Sequence, residues 1–215
     1  MQMEKLDYKK KFKELYQAKP VPSVVNVPQM QFIMVDGKGD PNDGNGKYQA
    51  AVETLYALSY AIKMMPKSGT IPPDYFEYVV PPLEGLWWFS DSNAFDDSNK
   101  SNFYWTAMIR QPEFVTEEIF ITACEIASKK KTQLDLKKAR FAVFAEGLCV
   151  QCMHQGNFND EPATLEKMKV FMAEHGLRSD LSDSRRHHEI YLSDPRKAEI
   201  QKMKTVLRHP VRRTL

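Results

Sequence analysis

The sequence predicts an α+β protein built from duplicated βαββ modules, which form a curved antiparallel sheet with helices on one face and a ligand cleft at the seam. Three observations carry that prediction. Apolar runs of strand length alternate with segments of helical periodicity. A short G-x-x-N-D element follows an apolar strand in each half, as Gly39-Asp40-Pro41-Asn42-Asp43 and as Gly156-Asn157-Phe158-Asn159-Asp160. In both halves the elements after it come in the order helix, strand, turn, strand.

Taken in order, residues 1–20 predict a short helix with apolar Leu6, Phe12 and Leu15, ended by Pro20 and Pro22. Met30–Val35 predicts a strand, and the glycine- and asparagine-rich stretch over residues 36–46 a sharp reversal. Ala51, Leu55, Leu58 and Ile62 recur at helical spacing over Tyr48–Met65, and Pro66 stops that helix. Strands follow at Tyr75–Val80 (closed by Pro81-Pro82), Leu83–Phe89 and Asn102–Ile109, with polar Ser90–Ser101 as a hairpin loop. Thr116 is placed to cap a helix running to about Lys130.

The second half opens with a strand over Phe141–Met153 and a turn to Asp160. A helix follows from about Pro162 to His175, stopped by Gly176. His188–Leu192, a turn at Ser193-Asp194-Pro195, and Thr205–Val211 complete it. The expected organisation is an N-terminal helical extension over residues 1–22, a first module over 23–115, a connecting helix over 116–140 and a second module over 141–215.

Composition excludes several classes. Thirty Lys and Arg against 28 Asp and Glu leave a net charge of +2, too balanced for a protein whose main task is gripping a phosphate backbone, so no direct nucleic-acid contact is expected. No apolar run reaches membrane-span length, and the polar N-terminus lacks the apolar centre of a secretory signal, which predicts a cytoplasmic protein without a membrane role. The 3 cysteines fit free thiols in a reducing compartment. Cys149 and Cys152 lie three apart on a strand and so face opposite sides, which disfavours a redox pair or zinc site. The histidines show no metal-binding spacing, and no phosphate loop or nucleophile elbow appears. Neither a metal nor a cofactor is expected.

Two groups of residues are candidates for chemistry. Tyr75, Phe76, Tyr78, Trp87, Trp88, Phe89, Phe103, Tyr104 and Trp105 crowd a short stretch. Strand alternation puts Phe103, Trp105, Ala107 and Ile109 on one face, and Tyr104, Thr106 and Met108 on the other. Trp87 and Trp88 point opposite ways, so one of them faces the cleft. Such rings attract flat, polarizable and cationic ligands, and a purely structural aromatic core is the competing reading. Around Glu189, alternation gives His187, Glu189 and Tyr191 one face, and places Ile190, Leu192 and His188 on the helix-facing side. A carboxylate in a partly dry aromatic cleft neutralises a cation or serves as a general base; the alternative is a solvent-facing glutamate. Glu77 and Glu84 are similar candidates with weaker context.

The runs PQMQFIMVDGKGDPND, QAAVETLYALSYAIK, DYFEYVVPPLEGLWW and HHEIYLSDPRK resemble gyrase-inhibitor-like small-molecule-binding proteins over nearly the whole chain. The resemblance implies duplicated βαββ modules around a cleft. It also implies kinship with effector-binding domains of drug-sensing transcription activators, which bind bulky lipophilic cations through rings and a central acid. Stand-alone members are linked to hydrolysis of cyclopropanoid electrophiles through a glutamate and a tyrosine. By motif position the acid is Glu189; the hydroxyl is Tyr191, with Tyr104 as competitor. Trp87, Trp88, Tyr104, Trp105, Met108, Tyr78 and His187 are the expected ligand-binding residues, and a hydrophobic or cationic small molecule the expected partner. With about twenty residues before the first expected module, no helix-turn-helix domain is expected, so any effect on transcription would pass through a partner.

Overall fold

Two single-turn helices, α1 (Tyr8–Lys11) and α2 (Lys13–Tyr16), stand where one short helix was expected. The computed structural model describes residues 5–43, 46–89, 102–194 and 197–214. The expected loop Ser90–Ser101, Gly44 and Asn45 of the glycine-rich reversal, and Pro195 of the later turn lie outside them. Strand β1 (Ser23–Lys38), helix α3 (Lys47–Met64), β2 (Leu83–Phe89) and β3 (Phe103–Arg110) follow in order, then α4 (Glu117–Lys130). The second half repeats strand, helix and strands as β4 (Ala139–Gln155), α5 (Glu161–Glu174), the short β5 (Leu177–Ser179), β6 (His187–Tyr191) and β7 (Lys204–Arg213). Thr116 caps α4, its hydroxyl oxygen accepting from the Ile119 N–H at 3.4 Å.

The strand order is β4-β1-β3-β2-β6-β7-β5, and β4 also pairs with β7. Six strands therefore form a closed, barrel-type ring of ladders, with β5 outside it on β7. The expected curved antiparallel sheet is thus closed on itself. At 16 and 17 residues, β1 and β4 are long enough to continue the pairing, and closure leaves those strands no bare edge. The α+β class stands. No described helix is long and apolar enough to cross a membrane.

The chain divides into two compact units that do not follow chain order: one holds the described residues of Met1–Tyr8, Met30–Leu83 and Trp88–Phe144, the other Lys9–Gln29, Glu84–Trp87 and Ala145–Leu215. In the first unit, Ala51, Leu55, Leu58 and Ile62 of α3 are buried, as are Ile33 and Val35 of β1 and Trp105, Ala107 and Ile109 of β3. The β1–β3 register pairs Ile33 with Ile109 and Val35 with Ala107, so these residues share one face. Tyr75–Val80 is not a strand. Leu6 and Tyr78 make a single parallel bridge, with Leu6 N–H to Glu77 O and Val79 N–H to Leu6 O, each at 2.8 Å. Pro72-Pro73 before the segment and Pro81-Pro82 after it supply no N–H donors to extend a ladder.

In the second unit, α5 lays Met168 and Met172 on Val150, Cys152, Leu207 and Val211, with Leu177 of β5. The register places Glu189 opposite Leu207, and Cys152 opposite Leu207 on the other side. Cross-strand partners share a face, so Glu189, His187 and Tyr191 lie on the face that α5 covers. This corrects the expectation that His188, Ile190 and Leu192 form the helix-facing side. The alternation is as expected, with the sides exchanged, because the opposite face is filled by buried ions as well as by apolar residues.

That opposite face carries a charge-balanced cluster. His188 Nδ1 and Arg208 Nη1 both meet Glu146 Oε2 at 3.0 Å, and His188 Nε2 lies 3.0 Å from Glu84 Oε2. Arg208 also donates to Gln151 Oε1 and, at 2.8 Å, to Leu15 O, while Tyr16 donates to Glu84 Oε1 at 3.3 Å. Two carboxylates and two cations cancel, which makes their burial tolerable. Glu146 and Gln151 both reach Arg208 although an odd spacing puts them on opposite sides of a regular strand; Gly147, at φ 71°, breaks the alternation between them. Burial alone would raise the Glu146 carboxyl, yet His188 and Arg208 hold it down at about 2. Burial would likewise lower His188, and Glu146 with Glu84 outweighs it, raising the imidazole to about 9.

Candidate functional site

The site grows from the β2–β6 ladder, in which Gly85 lies opposite Glu189, and Trp87 opposite His187. All four therefore belong to one face, together with Tyr191. The Glu189 side chain is 13% exposed and that of His187 6%, so the carboxylate is largely withdrawn from water. His187 Nε2 lies 3.1 Å from Glu189 Oε1, and its Nδ1 2.7 Å from His209 Nε2 of β7. The two imidazoles meet edge to face at 85°. Burial and the neighbouring His187 push the His209 imidazole well below its usual value, so it stays neutral.

A donor-only indole fixes the tyrosine. Trp87 Nε1–H donates to Tyr191 Oη at 3.0 Å, leaving the phenol's own O–H to donate elsewhere. Gly85 permits this contact: a Cβ there would fall 2.7 Å from Trp87 Nε1 and 3.2 Å from Tyr191 Oη. The Phe158 ring meets Tyr191 edge-on at 6.0 Å. Phe158 sits in the turn carrying the second G-x-x-N-D element. His154 ties that turn to α5, with Nε2 at 2.8 Å from Asn157 O and Nδ1 at 3.0 Å from Thr164 Oγ1. The same turn leads into Glu161, which lies near His187 and Glu189.

Ligand atoms of Glu161, His187 and Glu189 lie within 4.8 Å of one another, the grouping among the described residues that could reach one cation. Two of the three groups are already paired by the ordinary His187–Glu189 hydrogen bond, and we assign no metal to them. Cys149 and Cys152 are free and buried on opposite faces of β4; burial raises both thiols, away from reactivity.

The sequence-predicted residues divide by unit. Trp87, His187, Glu189 and Tyr191 come together in the second. Trp88, Tyr104, Trp105, Met108 and Tyr78 belong to the first. There, Trp88 stacks on Tyr104 at 6.0 Å and 20°, and Lys38 Nζ lies 4.8 Å from the Tyr104 ring centre. Trp105 is 1% exposed, against Tyr48 of α3 with ring centres at 5.1 Å. Met108 and Tyr78 are wholly buried. Glu84 belongs to the buried ion cluster, and Glu77 pairs with Lys5 at 3.7 Å near the surface. Sequence reasoning missed Gly85, Phe158, Glu161 and His209. The repeat element marked the turn carrying Phe158, whereas only the strand register reveals His209.

Carboxylate, hydroxyl and rings gathered on one face suit the binding of a small molecule. The GyrI-like family, described as a GyrI-like small molecule binding domain, matches residues 20–212. The chain belongs to that family. A crystal structure of an uncharacterized conserved protein from Listeria innocua is similar at 48% identity and TM-score 0.92, covering 97% of this chain and all (100%) of the other. The crystal structure of a hydrolase from Listeria innocua is similar at 47% identity and TM-score 0.88, with the same 97% and 100% coverage. The EcmrR C-terminal domain, at 9% identity and TM-score 0.52 over 90% of this chain and 98% of that one, shares the fold alone. No curated protein matches the chain.

Proposed function

We propose that this protein is a hydrolase of bulky, hydrophobic electrophiles, opening a strained, activated ring with Glu189 and Tyr191. The observation that carries the reading is the Glu189 carboxylate, largely withdrawn from water, held by a His187 nitrogen beside a tyrosine fixed by an indole N–H. Glu189 takes a proton from water, and the water oxygen bonds to the ring carbon. The strained carbon–carbon bond breaks, and its electron pair moves through the conjugated system onto a carbonyl oxygen. Tyr191 O–H donates a hydrogen bond to that oxygen, which takes a proton from solvent as Glu189 releases the one it accepted. The rings of Trp87, Phe158 and Tyr191 supply affinity for a flat, apolar body. Similarity to a Listeria innocua hydrolase at 47% identity supports this reading, as does the resemblance to stand-alone members that open cyclopropanoids.

A second reading is capture without turnover, for sequestration or sensing of a lipophilic cation. It is favoured by the carboxylate's place among rings, where cation binding needs no further chemistry. A roughly fiftyfold excess of a cyclopropane-bearing alkylator in ¹⁸O-water separates the two. The hydrolase reading predicts many turnovers per chain and ¹⁸O at the opened carbon. One equivalent consumed, or none, supports capture alone.

A further inference from the structure

His187 and His209 are two titratable groups beside the carboxylate that the proposed chemistry leaves unused. We propose that His187 is a positioning residue, kept by His209 in the form that presents Nε2–H to Glu189 Oε1, so that the other carboxylate oxygen meets the ligand or its water. The inference rests on the reading of Glu189 as an ionised carboxylate, the state both of its proposed roles require.

The geometry leaves little freedom. An ionised carboxylate only accepts, so at 3.1 Å the facing His187 Nε2 must carry hydrogen. In neutral His187 the Nδ1 is then bare and must accept from His209 Nε2–H at 2.7 Å. If His187 takes a second proton, its Nδ1–H donates, and neutral His209 accepts through the same nitrogen after changing tautomer. One contact thus serves both charge states. His209 fits this role because burial and His187 keep it neutral. The titratable groups in this cluster are Glu189 and Tyr191 on β6, His209 on β7 and Glu161 at the start of α5. Of these, Glu189 meets His187 Nε2 through its Oε1 at 3.1 Å. A histidine held from behind aims more accurately than a free one, because its ring orientation and tautomer are both set.

The test has two arms. Long-range ¹H–¹⁵N NMR of ¹⁵N-histidine protein reads each ring nitrogen directly, without ligand or turnover. The proposal expects hydrogen on His187 Nε2 at every pH from about 5.5 to 7.5, the span over which an ordinary imidazole titrates. A bare His187 Nε2 overturns it. In the second arm, His187→Leu lowers kcat about tenfold or more with KM little changed, the rate equivalent of one charge-assisted hydrogen bond. His187→Gln, whose amide can still donate to Glu189, restores most of that loss. Equal losses in both variants, tracking melting temperature, indicate a merely structural histidine and also overturn the proposal. A wild-type protein that turns nothing over, yet shows His187 Nε2–H, contradicts the hydrolase reading and leaves this one standing.

Discussion

Trp87 and Tyr191, on neighbouring strands, are joined by an indole N–H donated to a phenol oxygen at 3.0 Å. Because indole nitrogen only donates, the bond fixes the direction in which the phenol can act as donor. Trp87→Phe keeps a ring and loses the donor. It is expected to cost modest stability, since Trp87 is 8% exposed, while lowering turnover by about tenfold, the usual scale for one hydrogen bond. Steady-state kinetics beside a thermal melt checks this.

Gly85→Ala tests the same contact from the backbone. The added methyl would sit 2.7 Å from Trp87 Nε1, so the indole must move and the bond to Tyr191 breaks. Tryptophan fluorescence should shift, and affinity for a flat lipophilic cation should fall about tenfold, within the range of one lost contact. Unchanged fluorescence and affinity would show that the pair tolerates a side chain there.

Trp105 and Trp87 should behave differently. Trp105 is 1% exposed beneath Tyr48, so Trp105→Ala is expected to destabilise the protein by about 3–5 kcal/mol through the cavity it leaves. Denaturant unfolding measures it. A marginal loss of stability with a large loss of ligand affinity would instead assign Trp105 to the site.

The buried ion cluster makes stability depend on pH in a defined direction. Glu146 falls from 4.5 to about 2 on folding, so its contribution is present above pH 4.5 and lost as pH drops toward 2. His188 rises from 6.5 to about 9, so its contribution is complete below pH 6.5 and lost as pH climbs through 9. The melting temperature is therefore expected to be highest between pH 4.5 and 6.5 and to fall on both sides. His188→Leu should flatten the alkaline limb and cost about 3–5 kcal/mol, since it leaves two buried carboxylates with one cation.

Much of this architecture was legible. Period-2 alternation correctly grouped His187, Glu189 and Tyr191 on one face, because that grouping depends only on strand geometry. Which face α5 would cover was not legible: Ile190 and Leu207 are both apolar and buried, yet their cross-strand partners put them on opposite faces. His209 escaped notice for the same reason, since its meeting with His187 depends on β6–β7 register across twenty-two positions. Glu84 read as a candidate acid because a lone mid-strand glutamate looks anomalous until His188 is seen beside it. Tyr75–Val80 carries strand-like residues, but the proline pairs at its ends deny it a ladder. Closure of the strand ring depends on the β4–β7 pairing, a contact between distant segments that no local pattern announces.

Glu189→Gln removes the carboxylate's charge and basicity while keeping nearly the same volume. Multiple-turnover kinetics on a cyclopropane-bearing alkylator, run on both proteins alongside thermal melts, probes the assignment most directly. The expected result is at least a hundredfold loss of kcat, on the scale of one general base, with the melting temperature held. Turnover by the variant at the parent's rate would show that the acid does not carry the chemistry.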